Sequence, residues 1–407
     1  MLNQISGGVC AAKGFTAAGV HCGVKAGSSP DKNDLALILS EKECAAAATY
    51  TMNRVKAAPL YVTMDHLENG VAWGVVANSG NANACCPQSH ENAEAMSASA
   101  AAATGREPGD FVVASTGVIG QTINISAIQA GLPQAAAALS ADGSDAAAHA
   151  IMTTDTVKKE IAVSLTIGGK EVRLGAIAKG SGMIHPNMGT MLAFVTTDCA
   201  ITHEMLNDAL HEVVARTFNR VTVDGDTSTN DMCVVLANGM AGNSLIEWKD
   251  QDYETFLAAL EEVCRHLSRA IAGDGEGASK LVTCKMHGAR SEESAERLAK
   301  AVVGSSLVKA AMFGADANWG RVLCAMGYSK APFRPEHVDV SFCSQAGSIL
   351  VCKQGDGVDF DEDKAKAILT EKEVIIDVDL HEGDESAECW GCDLTYDYVK
   401  INGDYRT

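Results

Sequence analysis

Lys179-Gly-Ser-Gly-Met-Ile-His-Pro-Asn-Met-Gly-Thr-Met-Leu-Ala-Phe-Val195 is the most informative stretch of the chain. Glycines and a proline punctuate it as far as Gly189, and from Thr190 onward it turns apolar, as the start of a buried strand does. A residue without a Cβ therefore precedes a hydroxyl at the mouth of a strand. That order suits an intramolecular attack. The Thr190 hydroxyl can add to the Gly189 carbonyl, move the acyl group from nitrogen to oxygen, and let water release a new amino terminus. The freed amine, with a pKa of about 8, can then act as general base for its own hydroxyl. On spacing alone the plainer alternative, a threonine that merely begins a strand, is commoner.

Outward from this segment, helical and strand-like stretches alternate, which predicts an α/β or α+β architecture. Val71–Val76 reads as a buried strand running into the loop Asn78-Ser-Gly-Asn-Ala-Asn83, and an Ala-rich helix is expected at about 89–104. Phe111–Ser115 is an apolar strand that stops at Thr116-Gly117. Glu160–Ile177 reads as a hairpin turning at Gly168-Gly169. Further helices are expected at about 203–218, 251–272 and 292–312, from apolar residues recurring at three and four, and late strands at Val338–Phe342 and Val374–Val378.

With 407 residues, two or three structural units are expected. A formal net charge of −20 repels phosphate backbones and anionic lipid, so neither nucleic acid nor a membrane surface is an expected partner. No basic-then-apolar leader opens the sequence and no apolar run has the length of a bilayer span. The 14 cysteines are scattered, several within apolar runs such as those of Cys233 and Cys324, as reduced core thiols would be, and a cytoplasmic protein is expected.

Lys179–Leu192 resembles the self-cleavage signature of the ornithine acetyltransferase / N-acetylglutamate synthase family. So do, in the expected order, Ala77-Asn-Ser-Gly-Asn-Ala-Asn-Ala-Cys85, Ser115-Thr-Gly-Val-Ile-Gly120, Met152-Thr-Thr-Asp-Thr156, Thr222-Val-Asp-Gly-Asp-Thr-Ser-Thr-Asn-Asp231, Gly273-Asp-Gly-Glu-Gly-Ala278 and the carboxyl end Tyr398–Thr407. These stretches cover nearly the whole chain. Gly189 stands where the family usually has alanine. The resemblance implies a layered α/β/β/α-type fold shared with D-aminopeptidase-like proteins. It also implies scission between Gly189 and Thr190 into pieces 1–189 and 190–407, with about 281–407 as a separate subdomain, and an α2β2 assembly. Thr190 would be the nucleophile, Thr116 and Gly117 the oxyanion hole, and Thr153, Lys179, Thr190, Glu276, Asn402 and Thr407 the substrate contacts. The implied reaction moves an acetyl group from N-acetylornithine to glutamate through an acetyl-threonine, with no metal or cofactor and with acetyl-CoA as an alternative donor. A self-cleaving peptidase or amidohydrolase, or an amino-acid binder without turnover, are the rival expectations.

Other motifs carry less. Asp224-Gly-Asp-Thr-Ser228 begins like a calcium loop, but Thr229 occupies the position that demands glycine. Cys389-Trp-Gly-Cys392 has no second pair for zinc. His185 is expected to be a packed loop histidine, since the free amine makes another base unnecessary.

Overall fold

The computed structural model describes residues 2–25, 27–185 and 191–404. Gly189, Thr190 and Thr407, three of the expected site positions, lie outside the described residues. The chain divides into two compact units. The first comprises 1–180, 186–219 and 227–267; the second comprises 181–185, 220–226 and 268–407.

In the first unit, nine strands among the described residues form one sheet. Its order runs Asn3–Ile5, Lys159–Ile167, Lys170–Lys179, Leu192–Thr197, Met232–Ala237, Leu35–Tyr50, Val71–Asn78, Phe111–Ser115, with Phe15–Val20 added against Leu35–Tyr50. The hairpin expected around Gly168-Gly169 is present, with Ile167 opposite Lys170. The expected strands at Val71 and Phe111 and the helix Ser89–Thr104 are present as well.

Alternation along the central strands buries both faces. Ala36 and Ile38, Val75 and Ala77, Val112 and Ala114 belong to one apolar cluster, which takes in Ala147 and Ala148 of the helix Ser144–Ala150. Leu35 and Leu37, Val76, Phe111 and Val113 belong to the other, with Val62, Met96 and Ile128 of three further helices. Burial on two sides is why these strands read as continuous apolar runs rather than as alternating ones.

The Leu35–Tyr50 strand was not signalled by the sequence. Its apolar run is broken by Ser40-Glu-Lys-Glu43 and followed by four alanines, Ala45–Ala48, before the strand ends at Tyr50, and its pairing with Val71–Asn78 shifts register between Leu39 and Cys44. Its first part pairs with Phe15–Val20 and its second, Ala45–Tyr50, with Met232–Ala237.

The second unit has a six-stranded sheet, in the order Asp356–Gly357, Gly347–Lys353, Asp339–Ser344, Glu373–Asp379, Leu281–Ala289, Glu385–Cys392. The helices Glu292–Gly304 and Glu362–Thr370 cover it, and Leu298, Val302 and Ile368 join Cys284, Phe342 and Ile376 in one core. The single helix expected over 292–312 is two. Ser305 is extended (φ −72°, ψ 116°) and its hydroxyl caps the second helix, Ser306–Phe313, by accepting the Val308 N–H at 3.4 Å. The core-thiol expectation holds for Cys233 and fails for Cys324, which the helix Trp319–Tyr328 leaves exposed. Among the described residues no helix is long and apolar enough to cross a membrane.

Candidate active site

Two parallel strands of the first unit, Val71–Asn78 and Phe111–Ser115, end level with each other, with Asn78 opposite Ser115. Their ends are tied by buried polar groups. The Ser115 hydroxyl donates to Asn78 Oδ1 at 2.6 Å, and Asn78 Nδ2 donates to the Asn81 carbonyl at 3.0 Å. Asn230 Nδ2 donates to the carbonyls of Ala82 and Ser115 at 2.6 and 2.8 Å, so the Asn/Gly loop and the Thr116 turn are held by one amide.

Within that turn the N–H groups of Thr116 and Val118 are committed to the carbonyls of Asn78 and Gly80. Among the described residues the Gly117 N–H has no backbone partner. Gly117 has φ +134°, and a Cβ there would lie 2.4 Å from the Gly80 carbonyl carbon, so only glycine lets these two loops approach this closely.

Lys179, buried at the end of the Lys170–Lys179 strand, reaches this turn. Its Nζ donates to Thr153 Oγ1 at 2.8 Å and to Thr116 Oγ1 at 3.3 Å. Because the ammonium can only donate, the Thr116 hydroxyl hydrogen is left to point elsewhere. Thr116, Gly117, Thr153 and Lys179, singled out from three separate motifs, thus converge.

Asp155 anchors the same corner. Its carboxylate accepts from Lys159 Nζ at 2.7 Å, the Gly180 N–H at 2.7 Å and the Thr153 N–H at 3.1 Å, and the Asp155 and Lys159 side chains are fully buried. Burial works against its charge, but the ammonium groups of Lys179 and Lys159 outweigh it and hold the carboxyl at about 2. Sequence reasoning passed over Asp155, although it lies two residues beyond Thr153 in a motif already marked.

Asp231 was also passed over as a functional residue. It closes the Thr222–Asp231 motif, is buried, and has a carboxyl that burial pushes well above the usual range.

The second unit carries Glu276 and Asn402. Glu276 is buried, and its Oε2 accepts from Asn402 Nδ2 at 2.7 Å. The glycine-rich stretch packs on the same turn. The Ser181 hydroxyl donates to the Asp274 carbonyl at 2.6 Å, and the Glu276 N–H donates to the Ser181 carbonyl at 3.0 Å. A Cβ on Gly182 would sit 2.2 Å from the Glu276 carboxyl carbon, so that glycine is what admits the carboxylate.

Asp224 accepts the N–H groups of Met183 and Ile184 at 2.7 and 2.9 Å, which gives the carboxylate of the calcium-like sequence a task in holding the loop. His185 Nδ1 lies 3.0 Å from Thr222 Oγ1, and burial, with the Lys300 charge, pushes the imidazole down to about 4. Cys389 and Cys392 are both buried and address different partners, the Glu296 carbonyl and Lys309.

The comparisons with known proteins agree with one another. The ArgJ family matches residues 16–407. The arginine biosynthesis bifunctional protein ArgJ of Symbiobacterium thermophilum is 53% identical to this chain over 407 residues, covering 100% of both. The chain belongs to the ArgJ family. ArgJ 1 of Clostridium acetobutylicum is 50% identical over 97% of this chain and 96% of its own. The crystal structure of the Bacillus halodurans ArgJ protein is 48% identical, with a TM-score of 0.50, and its match covers 53% of this chain and 99% of the solved chain. Membership of the ArgJ family bears out the acetyl-transfer enzyme of arginine biosynthesis expected from the ordered motifs, together with the mixed α/β fold with two sheets.

Proposed function

We propose that the chain cleaves itself between Gly189 and Thr190 and then transfers an acetyl group from N2-acetyl-L-ornithine to L-glutamate through an acetyl ester on Thr190. The observation that carries this is the Lys179 ammonium bonded to both Thr116 Oγ1 and Thr153 Oγ1. It sits at the end of a strand whose last residue, Lys179, pairs with Leu192, two residues past the nucleophile.

In the first half-reaction the Thr190 hydroxyl attacks the acetyl carbonyl while the residue's own amine takes the hydroxyl proton. The oxyanion is met by the Gly117 N–H and the Thr116 hydroxyl, donors that cost nothing to reorganise at the moment of reaction. The proton passes to the departing amine, the carbon–nitrogen bond breaks, and ornithine leaves. The amine of glutamate then attacks the ester, and the same steps run in reverse.

Lys179 and Thr153 are assigned to the substrate. In the second unit, the Glu276 carboxylate is assigned to the substrate's α-ammonium, with Asn402 orienting it. Thr407 completes the proposed contacts. The relatives are named bifunctional, and acetyl-CoA is the second donor we propose. The solved Bacillus halodurans chain matches little more than half of this one at nearly its full length, as a product spanning 190–407 would. We further propose an α2β2 assembly of the two pieces, and the cytoplasm as compartment, in keeping with fourteen unpaired cysteines.

Intact-mass measurement tests the scheme. Wild type should give 1–189 and 190–407, and Thr190→Ala one full-length chain that produces neither ornithine from N-acetylornithine nor CoA from acetyl-CoA when glutamate is supplied. Fully active wild type with the 189–190 link intact would sink it.

A further inference from the structure

We infer that Lys179 is the positioning residue of the Thr116 hydroxyl, its ammonium occupying that oxygen so that the hydroxyl proton is left for the acetyl oxyanion. The inference deepens the proposed function and rests on it.

Lys179 ends the strand Lys170–Lys179 and is 8% exposed, whereas Thr116, Gly117 and Thr153 are each half-buried. Lys179 is thus the most enclosed member of the group. Its course is set by one carboxylate. The Gly180 N–H, next along the chain, donates to Asp155 Oδ1 at 2.7 Å, and the Thr153 N–H donates to Asp155 Oδ2 at 3.1 Å. Asp155 therefore fixes both the backbone where the lysine leaves the strand and the threonine whose hydroxyl meets its Nζ at 2.8 Å. The same carboxylate, which keeps its charge in spite of burial, offsets the cost of enclosing the ammonium.

From that fixed position Nζ donates to Thr116 Oγ1 at 3.3 Å. An ammonium has only protons to give, so the Thr116 oxygen accepts and its own proton is turned away from Lys179. Among the described residues that proton has no acceptor. The Thr116 N–H is spent on the Asn78 carbonyl at 3.0 Å, so the hydroxyl is the donor Thr116 has left to offer.

A lone threonine hydroxyl rotates and accepts as readily as it donates. One already bonded to a cation meets a developing negative oxygen without turning first, and it is the stronger donor, because hydrogen bonds in series polarise one another. No bond to hydrogen breaks in this role: Thr116 keeps its proton and Lys179 its charge. Since Lys179 acts through Thr116, its effect on turnover should vanish with that hydroxyl.

A double-substitution cycle on the cleaved enzyme tests this. Thr116→Val keeps the shape, removes the hydroxyl and should lower kcat about a hundredfold. Lys179→Met should lower kcat about tenfold or more by itself, yet by less than about threefold when added to Thr116→Val. Contact of Lys179 with the substrate is read in KM and leaves that comparison unmoved. The same factor lost in both backgrounds would overturn the inference, as would an unchanged kcat in Lys179→Met. Lys179→Gln, which also lacks the charge, takes the place of Lys179→Met if that variant does not fold. Where a variant folds but stays uncut, a site for an added protease is placed directly before Thr190, in that variant and in wild type alike, and the cycle is read on the products. Thr116→Val with unchanged kcat would instead remove the oxyanion role beneath the inference.

Discussion

Asp155 keeps its charge where no water reaches it, because two ammonium groups and two backbone N–H groups replace the solvent. Its folded pKa of about 2 lies below the ordinary carboxylate value, so the stability it contributes is complete above pH ~4 and is lost as pH falls through about 2. The shift corresponds to about 2 kcal/mol. Urea unfolding of wild type and Asp155→Asn should therefore show a gap at pH 6 that closes toward pH 2, and a gap that stays constant would remove the ion cluster from this role. Thr116, Gly117, Thr153 and Lys179 were legible in the sequence because each lies in a distinctive motif. Asp155 was not, because a loop carboxylate is ordinarily turn decoration. Its role depends on Lys159 and Lys179, which the pairing of two antiparallel strands brings to it.

At the scale of elements, legibility followed pattern. The hairpin at Gly168-Gly169 carried its turn in the sequence, and the Phe111–Ser115 strand ended where its apolar run ended. The Leu35–Tyr50 strand carried no such mark. Its alanines favour helix by local propensity, and only the neighbours on either side, Val71–Asn78 and Met232–Ala237, make it a strand. Ser305 is the reverse case, in which apolar spacing continued through a break. The helices on either side pack with Val302, Val303 and Val308 in one core, and periodicity carries straight across. Since the Ser305 hydroxyl accepts the Val308 N–H, Ser305→Ala should lower stability by about 1 kcal/mol in denaturant titration, whereas a continuous helix would tolerate or prefer alanine. An unchanged or higher midpoint would speak for continuity.

At the scale of the whole molecule, the boundary between the units does not follow the chain. Ser181–His185 and Arg220–Asp226 belong to the second unit although the stretches around them belong to the first. Such interleaving rests on contacts distant in sequence, which local patterning does not encode. The seven ordered motifs pointed to the family and its chemistry without revealing this layout.

The first unit's sheet also crosses the proposed scission point. Lys170–Lys179 comes from before it, and Leu192–Thr197, its antiparallel neighbour, from after. Met232–Ala237 likewise comes from after it and lies against Leu35–Tyr50 from before. The two products should elute together and separate only in denaturant; two species under native conditions would contradict this. A precursor can thread its sheet as a single molecule, at a rate independent of how dilute it is. The mature enzyme, once unfolded, must recover its partner by collision. Renaturation should therefore become second order in protein, and an uncut Thr190→Ala chain should refold at the same speed at any dilution.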